Sequence, residues 1–327
     1  MPFLKTLGSS SKITGTCACM GIDPVVSALP LGDKIHTEER IVEFFRSIFD
    51  VMLQRDIIPA AFKPNIGFFH ILDRPLEGDF SGSRALAAVV KMIRERFPDI
   101  PLIIDAKMGD IANSSLNYAG EAFDSWGGDG VTVHPYMGDD SVEPFLKKAQ
   151  ESGGGVYVLN RTSNSGAERF QNLNVQNQLS LQNPSVHSGG RGESTPLYME
   201  TARAIAEWAA RYPGTGAVVG ATSLSEFEHI VEYYSRHPVP LLIPGVGSQG
   251  GSAEEVLALL RRYRYPLDLV RINSSSGVTH PWKRKGEKAP ENWARECVES
   301  LSTLIESCAV RENIFPRREK DEREKGR

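Results

Sequence analysis

Short runs of aliphatic and β-branched residues recur along this chain, and stretches with apolar positions every three or four residues follow them. Runs at 15–22, 58–63, 102–107, 130–134, 155–160, 217–221, 240–243 and 267–273 predict strands. Segments such as TEERIVEFFRSIFDVMLQR and SAEEVLALLRRYR predict amphipathic helices between them. Strand and helix in alternation mark parallel βα units, and eight units fill the chain. The expected class is therefore α/β, as a (β/α)8 TIM barrel in a single domain over 1–310, in preference to a doubly wound sheet. Three segments break the rhythm: a loop at 73–83, a long polar insertion at about 165–194, and a mixed-charge tail at 311–327 expected to be flexible.

Composition narrows the class of function. At 327 residues, 40% hydrophobic and 24% charged, the chain matches ordinary globular proteins. A net charge of -4 and a pI near 6.0 disfavour a nucleic-acid binder that works by neutralising phosphates. No apolar run approaches the roughly 20 residues that span a bilayer, so no membrane role is expected. The first residues lack the apolar core of a secretory signal. Four cysteines (Cys17, Cys19, Cys297 and Cys308) suggest reduced thiols and a cytoplasmic location. Cys17 and Cys19, two apart in a predicted strand, are expected to pack on one shared face. With no HExxH, no CxxC and scattered histidines, no transition-metal site is expected.

The segment PLIIDAKMGDIANSS carries the strongest chemical signal. Residues two apart in a strand point the same way, so Asp105 and Lys107 should project together from the end of the third predicted strand. Gly109 permits a tight exit, and Asp110 follows in the loop. The second predicted strand brings Lys63 to the same rim, and the first brings Asp23. In such barrels the active site sits at this C-terminal rim. Three neighbouring strands ending in charge read better as a site than as an ion-pair plug, because desolvating each ion costs several kcal/mol. His134, also at the rim, reads as structural or as a minor substrate contact. A lysine flanked by carboxylates can stabilise a carbanion and deliver a proton. It can also form a Schiff base, although nearby negative charge keeps a lysine protonated and non-nucleophilic.

A second signal follows the seventh predicted strand, in PGVGSQGGSAEEVLALL. Gly245, Gly247 and Gly250 form GxGxxG, a weak motif alone and too late in the chain for a dinucleotide fold. In a barrel, the loops after the seventh and eighth strands bind phosphate on backbone amides and a helix N-terminus. Ser252 and Glu255 mark that helix start as a capping box. A phosphorylated substrate is the expectation.

At these residues the chain resembles the orotidine 5'-monophosphate decarboxylase family, especially its longer branch. The D-x-K-x-x-D-I signature stands at Asp105, Lys107, Asp110 and Ile111, and GIDP, FKPN, VHPYMG, LNRTSNSGAERFQ and LLIPGVGSQGG follow the family's order. The resemblance spans about 15–277. It implies conversion of orotidine 5'-monophosphate to UMP and carbon dioxide without a cofactor, with Lys107 protonating carbon six. Asp105 would lie against the substrate carboxylate, and Lys63 would hold Asp105 and the ribose. Asp23 and Asn65 would contact the ribose; Thr162, Ser163 and Asn164 the pyrimidine; Pro244 and Gln249 the base and phosphate. Asp110, with Ile111 and Ser114, would reach into a partner subunit's site, so the working form would be a homodimer.

One position departs from the pattern. The family it resembles usually carries an arginine in the loop after the last strand, where this chain reads Asn273, Ser274, Ser275, Ser276, Gly277. A charged hydrogen bond is worth roughly 1.5–3 kcal/mol, so Ser276 should weaken phosphate binding unless something compensates. The Ser276 and Gly277 amides, or the charge of Lys283, Arg284 or Arg271, are the candidates. Two other functions stay open: a metal-dependent sugar-phosphate decarboxylase of the same superfamily, and a catalytically silent nucleotide-binding barrel.

Overall fold

The computed structural model describes residues 2–30, 36–176, 194–247 and 250–310. Most of the polar insertion and the whole charged tail lie outside them. The barrel strands are β1 (Ala18–Ile22), β2 (Ala61–Pro64), β3 (Ile103–Met108), β4 (Gly130–Val133), β5 (Gly155–Arg161), β8 (Thr215–Val219), β9 (Leu241–Ile243) and β10 (Val270–Ser274). They form an 8-stranded sheet in the order β2-β1-β10-β9-β8-β5-β4-β3, parallel throughout. Parallel bridges Phe62–Leu102 and Asn65–Asp105 join the two outer strands and complete the ring. The helices are α1 (Pro2–Thr14), α2 (Thr37–Arg55), α3 (Gly67–His70), α4 (Ser81–Arg96), α5 (Ala112–Gly120), α6 (Asp139–Ser152), α7 (Glu168–Gln171), α8 (Leu197–Arg211), α9 (Leu224–Arg236), α10 (Ala253–Arg262), α11 (Ser276–Thr279) and α12 (Trp293–Ser307). A small antiparallel pair, β6 (Asn174–Gln176) with β7 (Ser194–Pro196), ties the two ends of the insertion together.

Alternation along the strands sorts the core into two layers. Ala18, Met20, Ile22, Ile104, Val131, Val133, Val156 and Val158 face outward and pack with the helices. Cys19, Ala61, Ile103, Tyr157, Val218 and Leu242 fill the barrel interior. Cys17 and Cys19 therefore do not share a face, contrary to the sequence expectation. β1 begins only at Ala18, and Cys17 pairs through its amide with the Cys308 carbonyl at 3.0 Å and joins the outer layer. All four cysteines are free and buried.

The sequence reading missed α1, which seals the base of the barrel. Phe3 and Leu7 enter the inner core, and the Phe3 ring meets Tyr157 edge-on at 5.9 Å. Each such burial contributes about 1.5–3 kcal/mol. Arg271, on β10, is fully buried in this seal. It donates from Nη2 to the Leu7 carbonyl (2.7 Å) and Ser10 Oγ (2.6 Å), from Nη1 to Ser11 Oγ (3.0 Å), and from Nε to the Ala60 carbonyl (3.1 Å). Arg271 is thus a clamp at the closed end of the barrel and cannot serve the phosphate. We expect Arg271→Met to cost about 3 kcal/mol in urea unfolding, because the carbonyls it serves lose their charged donor. A loss below about 1 kcal/mol would show that the clamp contributes little.

Candidate active site

Lys63 leaves β2 and Asp105 leaves β3 into the mouth of the barrel, where they form a short ion pair. Lys107 lies on the other side of Asp105, its Nζ 2.5 Å from Oδ1. Thr132 of β4 donates to the same Oδ1 at 3.0 Å. The Lys63 and Asp105 side chains are 5% and 7% exposed, and Lys107 is 47% exposed. The buried pair therefore forms the floor, and the Lys107 ammonium is the charge an incoming ligand meets.

β3 reaches this arrangement through a bulge. Its register against β4 slips between Ile104 and Met108. Lys107 takes φ 50°, a left-handed conformation that costs a non-glycine residue roughly 1–2 kcal/mol. The Ala106 and Lys107 amides, lost to the strand ladder there, both donate to Thr132 Oγ1, at 3.0 and 2.9 Å. Thr132 thus fixes the carboxylate and the strained backbone together. Gly109 leaves no room for a β-carbon, which would fall 2.3 Å from His134 Nε2. His134 is packing at this turn.

Electrostatics follow from burial and pairing. Burial alone would raise the Asp105 pKa, but the charges of Lys63 and Lys107 override it and hold the group far below the usual carboxylate range. Burial would likewise lower Lys63, yet Asp105 and Asp23 drive it above the ordinary lysine value. Asp23 is raised, chiefly by burial. The floor therefore keeps the Asp105 carboxylate and the Lys63 ammonium as a charged pair across the neutral range.

A cavity of about 690 Å³ opens above this floor, and Asp23, Lys63, Asn65, Asp105, Lys107, Thr162, Ser163, Asn164 and Pro244 line it. The sequence reading assigned these nine to one chain's own site; Ser276 and Gly277, which it also assigned there, are not in the walls of this cavity. Thr132, Gln171, Asn273 and Ser275 also line it and were not anticipated. Asp23 Oδ1 and Asn273 Oδ1 are buried with no hydrogen-bond partner, leaving two acceptors beside the cavity. Gly21 admits Ser275 to the wall, since a β-carbon there would sit 1.9 Å from Ser275 Oγ.

The remaining predicted residues stand elsewhere. Asp110 accepts from the Ile111 amide at 2.7 Å, and its backbone is tied to Ser115. Asp110, Ile111 and Ser114 are not among the residues lining the cavity. Gly245, Gly247 and Gly250 have φ of 94°, 79° and 95°, which explains glycine at each place in the loop. This loop and the start of α10 border a second cavity of about 330 Å³, with Gly247, Gly251, Ser252, Ala253, Ser274 and Gly277 in its walls. Ser252 caps α10 as expected, accepting from the Glu255 amide at 3.2 Å. Ser276 opens α11 and lines neither cavity, and Lys283 is exposed beyond it. Gln249 and the Arg284 side chain lie outside the described residues. Among the described residues no group of three or more His, Cys, Asp or Glu could hold a metal ion.

The family model described as Orotidine 5'-phosphate decarboxylase / HUMPS family matches residues 59–258, which include the whole floor of the site. The chain belongs to this family. An orotidine 5'-phosphate decarboxylase of Thermomicrobium roseum is 36% identical over 277 residues, 84% of this chain and 86% of that one. Its counterpart in Janthinobacterium is 35% identical over 251 residues, 77% of this chain and 80% of the other. The solved OMP decarboxylase of Leishmania donovani matches with TM-score 0.65 at 27% identity, over 93% of this chain and 99% of that one. A Toxoplasma gondii structure matches with TM-score 0.70 at 27% identity, over 94% and 97%. As a member of the orotidine 5'-phosphate decarboxylase family, the chain shares the fold of these proteins, an eight-stranded parallel barrel.

Proposed function

We propose that this chain decarboxylates orotidine 5'-monophosphate to UMP. The observation that carries the reading is the floor of the cavity: one ionised carboxylate, Asp105, held between Lys63 and Lys107. The bond from carbon six to the carboxylate breaks, its electron pair stays on carbon six, and carbon dioxide leaves. The Lys107 ammonium stabilises that charge and gives carbon six a proton, then recovers one from solvent. Asp105 faces the departing carboxylate. Lys63 orients Asp105 and, with Asp23 and Asn65, holds the ribose. Thr162, Ser163, Asn164 and Pro244 take the base, while Gln249 and Gly277 serve the phosphate side.

The working form is a homodimer in this reading, with Asp110, Ile111 and Ser114 given to the partner's cavity. The support is an apolar surface on the loops and helix beside them: Ile111, Leu116, Tyr118, Tyr136 and Met137 are 52%, 50%, 40%, 91% and 40% exposed. No described helix is long and apolar enough to cross a membrane, and the free cysteines suit a reducing, cytoplasmic setting.

The test is loss of orotidine 5'-monophosphate absorbance in chelator-treated buffer, with sedimentation of the same preparation. Turnover by a species of twice the chain mass is expected. Absence of turnover would reject the activity. Turnover by a monomer would reject the shared site.

A further inference from the structure

The loop after β5 places Thr162, Ser163 and Asn164 along one wall of the cavity, and α7 folds back over it to bring Gln171 to the same wall. The backbone of this loop is held from several sides. Arg161 donates to the Thr162 carbonyl at 2.6 Å and to Asn172 Oδ1 at 3.0 Å, Asn172 donates to Glu226 at 2.8 Å, and Thr222 donates to the Ser163 carbonyl at 2.8 Å. Within that frame the side chains form a directed chain. The Thr162 amide donates to Gln171 Oε1 at 2.8 Å, and an N–H can be met only by the amide oxygen. This fixes the Gln171 carboxamide, so Nε2 donates to Thr162 Oγ1 at 2.9 Å. The threonine hydroxyl has one proton. Asn164 Oδ1 at 2.7 Å is a nearer acceptor for it than Gln171 Oε1 at 3.3 Å. Asn164 therefore has its oxygen engaged, and its Nδ2 has no protein partner among the described residues.

We propose that this relay makes Asn164 a committed hydrogen-bond donor to a carbonyl of the pyrimidine ring, so the site selects uracil over cytosine nucleotides. A ring amino group in place of the carbonyl would set donor against donor. Gln171 and Thr162 act as positioning residues, and Asn164 touches the base. The inference rests on the decarboxylase reading above and adds the group that discriminates the base.

UMP and CMP carry the same phosphate and ribose, so the ratio of their dissociation constants isolates the base. The experiment measures that ratio by calorimetry for wild type, Asn164→Asp and Gln171→Glu, together with kcat and KM for orotidine 5'-monophosphate. Wild type should prefer UMP by about tenfold or more, as expected when a site's donor meets no acceptor. In Asn164→Asp the donor is gone, and the preference should vanish or reverse. In Gln171→Glu the carboxylate still accepts from the Thr162 amide but has no proton for Oγ1. The hydroxyl then turns to the carboxylate and Asn164 is free to rotate. The ratio should fall about fivefold, with KM raised and kcat nearly unchanged. An unaltered ratio in both variants, or a wild type indifferent to the base, overturns the relay even if decarboxylation is intact. A wild type that neither turns over substrate nor binds UMP overturns the decarboxylase reading, and the relay falls with it.

Discussion

Lys107→Ala is expected to lower kcat for decarboxylation by about 10⁴-fold or more, with the thermal unfolding midpoint nearly unchanged. The magnitude follows from what the floor of the site can supply. Two like charges about 4 Å apart at an effective dielectric near 20 repel by roughly 4 kcal/mol, while enzymic accelerations correspond to about 8–23 kcal/mol. Repulsion between Asp105 and the substrate carboxylate therefore falls well short. The ammonium must supply much of the rest, both as the charge that meets the carbanion and as the proton donor. The fold should survive because Lys107 is half exposed and Asp105 keeps Lys63 and Thr132 as partners. Stopped-flow and steady-state assays of the pure variant check the first part, and calorimetry the second. Residual turnover within about 100-fold of wild type would remove Lys107 from the centre of the mechanism.

Lys63→Met should act on stability first. It leaves Asp105 buried with its deeper partner gone, and breaking one side of a buried pair costs about 3–5 kcal/mol. The dependence on pH has a definite sign. Asp105 has a depressed pKa, so its contribution is present above the unfolded carboxylate value near 3.9 and is lost as pH falls toward the folded value. Lys63 has a raised pKa, so its contribution is complete below the unfolded lysine value near 10.4 and is lost as pH rises past it. Denaturant unfolding across pH should therefore show the widest gap between wild type and variant from about pH 4 to 10, narrowing on both sides. A gap that is flat through pH 4 and pH 10 would show that the pair is not ionised as described.

Much of this was legible beforehand, because parity in a parallel barrel is strict. Lys63, Asp105 and Asp23 could be set on one rim by counting from the ends of apolar runs, and the cavity collects them. Parity also hid things. Lys107 reaches the cavity through a bulge and a left-handed residue, which counting along an ideal strand does not reveal. Thr132 sits inside an otherwise apolar strand, where its hydroxyl looks like β-branched filler until the slipped register brings two amides to it. Arg271 is one of three cations the sequence offers for the phosphate, but its position near the start of β10 places it at the other end of the barrel. Helix α1 was missed because only Phe3, Leu7, Ser10 and Ser11 of its residues are buried, and two of those are serines. Gln171 lay in a segment whose polarity suggested only a loop.

The two ends of the barrel's chain are laced together. The Val310 amide meets the Gly15 carbonyl at 3.1 Å, next to the Cys17–Cys308 pairing, on the face away from the reacting groups. A tether joined at Val310 would leave the barrel from the face opposite its opening. Immobilisation on a bead, or coupling to a neighbouring catalyst, could therefore leave the path of small molecules to Lys107 unobstructed.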